Sequence, residues 1–546
     1  MLLQIEAYLD DRLRQALREL NYPQVEYQFD QPRAEAHGDI SVNVAMPLAK
    51  QVKKPPREIA AAIVERLDVD PQQIEKVEIA GPGFINFFLA PSLLQKAVPH
   101  ILQEKDDYGR FPIGKGKKAQ VEFVSANPTG PLTVGHGRQA VLGDTVANLL
   151  EWASYDVQRE YYFNNAGRQM RILADSVRLR YLELLGETVE FPDDYYQGEY
   201  IRDIARHILE IHGDSLKNSD DLTIFKETAE RLIFEDIKKT LKKIGIVFDS
   251  FFNESDLYEN GEIDRVVQFF KEKGLAYEKD GALWFKSTAF GLEQDRVIIK
   301  STGEPTYRLP DIAYHKTKFD RGFDLIVDVF GADHIATYPD VLAGLKALGY
   351  DVSKVKVLIH QFVTLYEGKE KVKMSTRKAN FITLDDLIDE VGPDVTRWFF
   401  LMRGRQSHLN FDLTLAKTQS DENPVYYNQY AHARICSILR NAEEKGIRFH
   451  NMEAVHRLAE KAEFQLIKKL MEFPKVVKGC IDELEPHPIT RYLSEVSAAF
   501  HKFYTECWVL TDDPELTQAR LALSLATKQV LANGFAILGI RAPERM

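Results

Sequence analysis

The chain has 546 residues, an apolar fraction of 45%, a charged fraction of 28% and a formal net charge of −12. Such a length exceeds one ordinary domain and points to about three, and the acidic balance argues against a protein that coats nucleic acid without specificity, though a local basic surface could still meet a particular RNA. Cys436, Cys480 and Cys507 form no Cys-x-x-Cys pair, which speaks against a structural zinc site or a disulfide framework, so no metal held by the protein alone is expected.

The opening MLLQIEAYLDDRLRQALREL carries acids where a signal or transit peptide would carry only bases. It reads as an amphipathic helix with Leu2, Ile5, Leu9, Leu13, Ala16, Leu17 and Leu20 on one face. No apolar run approaches membrane-spanning length. The cytoplasm is the expected location, with no membrane partner. AHGDISVNVAMPLAK reads as loop, Pro56 to Leu67 as a second helix opened by proline, and VEIAGPGFINFFLA as two strands around Gly81-Pro82-Gly83. These elements suggest a separate α/β unit over 1–112, ending in a linker, DDYGRFPIGKGKK.

From Lys118 the pattern becomes strand, glycine-rich turn and helix. AQVEFV is an apolar strand, SANPTGPLTVGHG the turn, and GRQAVLGDTVANLLEW the helix. A second strand, VQREYYF, and a helix from about Asn165 continue a βαβ series and imply a parallel sheet. About 195–245 is helical and highly charged, and reads as an insertion. LAYEKDGALWF signals a hairpin turning at Asp280-Gly281. DLIVDVF is a central strand, followed by GADH and a helix reaching Leu348. The last 120 or so residues show only helical periodicity, giving a catalytic α/β unit at 118–400 and an all-α bundle at 401–546.

Two segments suggest chemistry. ANPTGPLTVGH, Ala126 to His136, joins a strand to a helix, where a ligand meets the carboxyl edge of a sheet and the positive end of a helix. Gly130, Gly135 and Gly137 would let a planar or phosphate group approach the backbone. His136 could donate to a phosphate oxygen as negative charge builds on it. A glycine-rich turn with a buried histidine is the plainer alternative. KVKMSTRKAN, Lys371 to Asn380, is a lysine-rich loop suited to clamping pyrophosphate, although such a run is more often a solvated surface.

Together these segments carry a resemblance. TVGH resembles the HIGH signature of class I aminoacyl-tRNA synthetases and KMSTR their KMSKS loop, with GADH between them. Within that class VEFVSANPTGPLTVGHGR, YYFNNAGRQM, YRLPDIAYH, KMSTRKANFITLDDLIDEVGPDVTRWFFL, DENPVYYNQYAHARI and the terminal APERM resemble the bacterial arginyl enzymes along the whole chain. The resemblance implies a Rossmann-like parallel-sheet core, an N-terminal α/β domain contacting the corner of the tRNA, and a C-terminal all-α anticodon-binding bundle. It also implies ATP, L-arginine and tRNA(Arg) as substrates, magnesium with the ATP phosphates, and a monomer.

Selecting arginine requires acids around a planar guanidinium that is always charged. By resemblance Tyr307 and Asp311 hold that group, and Ser125 and Asn127 hold the amino-acid backbone groups; the role of Glu122 stays open. Gly135, His136, Thr133, Lys373, Met374 and Ser375 fall to the ATP, and Asp333 and His334 to either the nucleotide or the arginine. Thr133 stands where HIGH has its first histidine and Thr376 where KMSKS has its second lysine, although Arg377 and Lys378 follow at once. These departures keep a second reading open, a tRNA-binding module with little catalysis; a third is a nucleotidyltransferase that shares only the core. In the bundle, Tyr426, Tyr427, Tyr430, His432 and Arg434 suit stacking on unpaired bases, with about half of them required for the core.

Overall fold

The computed structural model describes residues 1–32, 34–165, 167–372 and 382–546. The first helix, Leu2–Glu19, buries Ile5, Leu9, Leu13, Ala16 and Leu17 as its periodicity requires. It packs on the helix Pro56–Arg66, which lies against a four-stranded antiparallel sheet in the order Phe29–Asp30, Ile40–Val42, Phe84–Leu89 and Ile74–Ala80. The segment read as loop is ordered structure: it contains the strand Ile40–Val42 and the helix Ala45–Val52. Three buried residues are too few to show an alternating pattern. Pro47 sits in a helical first turn where no N–H is needed. The glycine- and lysine-rich linker is packed down, with Tyr108 buried and donating to the Leu470 carbonyl at 3.0 Å.

The centre of the molecule is a five-stranded sheet in the order Val355–His360, Leu325–Gly331, Lys118–Glu122, Asp156–Phe163 and Ser250–Asn253, every neighbour parallel. The strand order reverses beside the first strand, Lys118–Glu122. In such sheets a crevice opens where connections leave a strand pair in opposite directions. The helix Val134–Trp152 follows that strand and is buried along most of its length. The charged insertion forms the helices Glu199–His212 and Thr223–Lys243.

The expected hairpin is present as Ala276–Lys279 and Ala282–Phe285, with Asp280 (φ 54°) and Gly281 (φ 73°) at its turn. A third strand, Arg296–Ile299, extends it into a small antiparallel sheet. Another small sheet pairs Val363–Glu367 with Leu409–Asp412 in parallel and with Glu370–Lys371 antiparallel.

Four long helices, Pro424–Glu444, Lys461–Glu483, His487–Glu506 and Pro514–Leu538, build the C-terminal bundle. The last of these corrects the reading that no apolar run reaches spanning length. Its 25 residues hold a window of mean hydropathy 1.4, of which 72% is buried inside the protein. Its apolarity has a use here: Leu521, Leu523, Val530, Leu531, Phe535 and Leu538 all sit in the core. Buried Arg397 ties three parts of the chain together, donating to the carbonyls of Leu538 and Ile244 and to Asp144.

Candidate active site

Because the five strands run in parallel, their carboxyl ends share one rim, and a cleft of ≈ 920 Å³ opens there. Glu122, Ser125 and Asn127 reach it from the exit of the first strand, and Thr133, Gly135 and His136 from the head of the next helix. Tyr307 and Asp311 reach it from the head of the helix Arg308–Asp320, and Asp333 and His334 from the turn after Leu325–Gly331. Lys373, Met374 and Ser375, with Thr376, Arg377 and Lys378, lie outside the described residues. Beyond them the chain returns to the first segment. Thr383 forms a β-bridge with Thr133, and the Leu384 N–H donates to the Leu132 carbonyl at 2.8 Å.

Thr133 caps the helix Val134–Trp152. Its hydroxyl accepts from the His136 N–H at 3.5 Å, and its own N–H donates to His136 Nδ1 at 3.1 Å. Threonine is a favoured residue at such a cap. The second contact also fixes the ring: an accepting Nδ1 leaves the proton of neutral imidazole on Nε2. Burial pushes the His136 pKa down to about 4, partly opposed by Asp333, so the ring stays a neutral donor near pH 7. The three glycines divide. A Cβ on Gly135 would meet only Thr133 Oγ1, at 3.6 Å, whereas one on Gly137 would fall 2.6 Å from Leu384 and one on Gly130 2.9 Å from the Tyr200 hydroxyl. Gly130 and Gly137 therefore serve packing, and Gly135 alone of the three leaves backbone open to the cleft.

The other end of the cleft is acidic. Asp311 stands one turn into its helix, its N–H donating to the Tyr307 carbonyl at 3.3 Å. Burial lifts its carboxyl to about 7; Glu122 and Glu254 add to the rise, and His315 and Lys318 oppose it. Tyr307 projects from the rim with 81% of its surface exposed. Glu254 begins the helix after the edge strand Ser250–Asn253 and takes the Tyr162 hydroxyl on Oε2 at 2.9 Å. Burial raises its pKa as well. Asn127 donates to Gln169 at 2.8 Å, and both line the cleft.

Glu122 is engaged inside the protein. Its Oε2 accepts from Lys318 Nζ at 2.5 Å and its Oε1 from Ser125 Oγ at 2.9 Å, while that hydroxyl accepts from the Tyr162 N–H at 3.1 Å. Lys318 also donates to Asp328 Oδ1 at 2.6 Å. His315 lies between the Asp311 carbonyl (2.8 Å from Nδ1) and Asp328 Oδ2 (3.0 Å from Nε2). Two acceptors on one imidazole require both nitrogens to donate, hence a cation. Burial and Lys318 oppose that charge, but Asp328 and Glu122 together outweigh them and leave the His315 pKa raised. Two carboxylates and two cations make this buried group neutral, the condition under which charges persist in an interior. Glu122, His315 and Asp328 have the spacing of a metal site, but Lys318 Nζ already stands as their cation.

The two ends are electrically distinct. The charges acting on Asp311 are His315, Glu122, Glu254 and Lys318, whereas Asp333 acts on His136. Asp333 thus belongs with the histidine end. His334 stacks on Phe330, ring centroids 5.0 Å apart.

Several residues escaped the sequence reading. His315 and Lys318 were legible, because Asp311, His315 and Lys318 repeat at i, i+4 and i+7 along one helix. Glu254 was not, because SFFN carries no alternation. Arg138, two residues past His136, donates to the carbonyls of Gln361, Ser407 and Gly404 at 2.6, 3.0 and 3.1 Å and fixes the helix head to the neighbouring strands. In the bundle His432 is buried against the Pro543 carbonyl at 2.8 Å, which removes it from the residues expected to meet bases. Tyr426 and Tyr430 stack with centroids 6.2 Å apart, and Arg434 lies 4.7 Å over the Tyr430 ring.

Three family models match the chain. Residues 6–89 match the arginyl tRNA synthetase N terminal domain, 97–397 the class I (R) tRNA synthetase catalytic domain, and 428–546 the DALR anticodon binding domain. The arginine–tRNA ligase of Desulfotalea psychrophila is 53% identical over 522 residues, 95% of each chain. That of Chlorobaculum tepidum is 54% identical over 530 residues, covering 95% of this chain and 96% of its own. The solved arginyl-tRNA synthetase of Thermus thermophilus superposes with a TM-score of 0.76 at 24% identity, over 99% of this chain and all of that one.

Proposed function

The chain belongs to the class I arginyl-tRNA synthetases, and from that membership we propose how its cleft divides the work. The reaction is the ATP-dependent ligation of L-arginine to tRNA(Arg). Arginine's carboxylate attacks the α-phosphorus of ATP, giving arginyl-adenylate and pyrophosphate. The 2′-hydroxyl of the terminal adenosine of the tRNA then attacks the activated carbonyl and releases AMP. Alignment and charge stabilisation dominate both steps.

The observation that carries the division is that Asp311 and His136 open on one cleft while sitting among different charges. Asp311 receives the guanidinium, whose fixed positive charge restores the carboxylate that burial disfavours. Glu254 adds a second negative charge, and Tyr307 closes over the group from the rim. Ser125 and Asn127 hold the amino-acid backbone. Glu122 acts through Ser125 and Lys318 as a positioning residue, because its own oxygens are taken. Nε2–H of His136 donates to a phosphate oxygen as negative charge grows there, with Gly135 admitting the phosphates to the backbone. Thr133 orients the histidine rather than replacing a lost one. Asp333 and His334 serve the nucleotide. Lys373, Met374 and Ser375 take the phosphates by family resemblance, and Thr383, farther along the chain, is bridged to Thr133.

Magnesium arrives with the ATP as part of the substrate, since the one three-ligand cluster among the described residues already holds Lys318. The anticodon lies against the stack of Tyr426, Tyr430 and Arg434, and the N-terminal unit meets the corner of the tRNA. The working unit is a monomer, acting where translation takes place in the cytoplasm.

The test is exchange between pyrophosphate and ATP with each of the twenty amino acids, with and without tRNA. Arginine alone should support exchange, and only with tRNA present. Exchange with another amino acid and none with arginine would overturn the assignment.

A further inference from the structure

His360 ends the edge strand Val355–His360, opposite Gly331 of the neighbouring strand. Only 6% of the residue is exposed, yet it lines the cleft. Its Nδ1 lies 3.2 Å from the Gln361 carbonyl, an acceptor, so Nδ1 carries the proton. Burial pushes the pKa down to about 4, opposed by the Gln361 carbonyl and Asp333 and reinforced by the Arg138 guanidinium and His136. Nε2 is therefore a bare lone pair, and it has no hydrogen-bond partner. A buried polar atom without a partner is rare and costs free energy, and such an atom at a cleft wall points to a ligand that supplies what the protein withholds.

The missing group must be a donor, which narrows the source. The triphosphate of ATP offers only acceptors near neutral pH. The donors of arginine face the acidic end, and none of the groups acting on Asp311 acts on His360. His360 instead shares its surroundings with His136 and Asp333. Asp333 Oδ1 stands in the space that Gly331 leaves in front of the ring, 2.5 Å from where a Cβ would be, and that place is 4.0 Å from Nε2. We propose that His360 Nε2 accepts a hydrogen bond from the nucleoside half of ATP, either the adenine 6-amino group or a ribose hydroxyl, and so helps select the nucleotide. This inference rests on ATP occupying the His136 end of the cleft.

The experiment measures the nucleotide KM, with arginine and tRNA saturating, for ATP, 2′-deoxy-ATP, 3′-deoxy-ATP and purine riboside 5′-triphosphate, which lacks the 6-amino group. The wild-type protein should lose about tenfold with the analogue that lacks the partner. His360→Phe should raise the KM for ATP by about the same factor and no longer penalise that analogue, leaving the KM for arginine unchanged. His360→Gln, with a side-chain oxygen near the lost lone pair, should recover most of the affinity. Equal use of all four nucleotides by the wild-type protein overturns the proposal without reference to any variant, so a variant that fails to fold does not protect it. It also falls if no analogue penalty shrinks in His360→Phe, or if that variant raises the KM for arginine instead. Absence of arginine-dependent exchange with ATP itself would be a failure of the parent reading, and is seen separately.

Discussion

Lowering the pH should weaken the use of arginine before it affects the use of ATP. The Asp311 carboxyl sits at about 7 in the ligand-free cleft, while the guanidinium it would bind stays charged at every accessible pH. Below its pKa the ionised fraction falls about tenfold per unit, so kcat/KM for arginine should drop to about one-tenth at pH 6 and about one-hundredth at pH 5. His136 titrates only at about 4, so its donor form persists across this window. The nucleotide KM, measured at saturating arginine and magnesium, should change little between pH 8 and 5.5. Pyrophosphate exchange at fixed ionic strength reads both quantities. Asp311→Asn should give a low and flat arginine profile. A wild-type profile that is level down to pH 5.5, or a break shared equally by ATP, would refute the placement of the guanidinium at Asp311.

The same carboxyl affects stability. Its folded pKa exceeds the unfolded value of about 3.9, so between about pH 4 and 7 the folded state holds the extra proton and stability declines as pH rises through that window. Asp311→Asn should therefore stabilise the ligand-free protein at pH 7.5 by about 4 kcal/mol, read as a raised thermal midpoint; a lowered midpoint would contradict the burial argument. Lys318→Met leaves Glu122 and Asp328 without their shared cation and should cost about 3–5 kcal/mol in chemical denaturation, and near-wild-type stability would show that the buried charge group is not held as described. Gly137→Ala should destabilise by about 1–3 kcal/mol, because its Cβ meets Leu384 at 2.6 Å, whereas Gly135→Ala should fold normally and raise the ATP KM. Equal behaviour of the two glycine variants would undo the distinction between them. Thr133→His restores the more familiar signature but removes the cap, so it should cost about 1 kcal/mol and yield no gain in turnover; a large gain would favour the reading of a weakly catalytic tRNA binder.

Long-range placement was legible where a residue's type and its strand or helix boundary coincided. Asp311 follows Tyr307 at the start of a helix and His136 closes a glycine-rich turn after an apolar strand; spacing gave those local settings, and the family resemblance singled the residues out. The hairpin at Asp280-Gly281 was legible because two adjacent residues of left-handed preference admit few other structures. What stayed hidden depends on tertiary contact. Lys318 satisfying Glu122 joins residues on different elements, and no local pattern announces it. The strand Ile40–Val42 and the helix beside it failed to show because each is shorter than the period needed to recognise it. Pro514–Leu538 was legible as a helix of the bundle, and only its apolar length was missed, because Gln518, Arg520 and Lys528 interrupt the run. The capping role of Thr133 was masked by the signature itself, which drew attention to a missing histidine and away from a residue suited to begin a helix.

The most direct measurement is a crystal structure with a non-hydrolysable arginyl-adenylate analogue bound. A two-ended cleft predicts the guanidinium within hydrogen-bond reach of Asp311 and a phosphate oxygen at Nε2 of His136, bound by a single molecule. An analogue lying in the reverse direction, or seated in a different cavity, would contradict it.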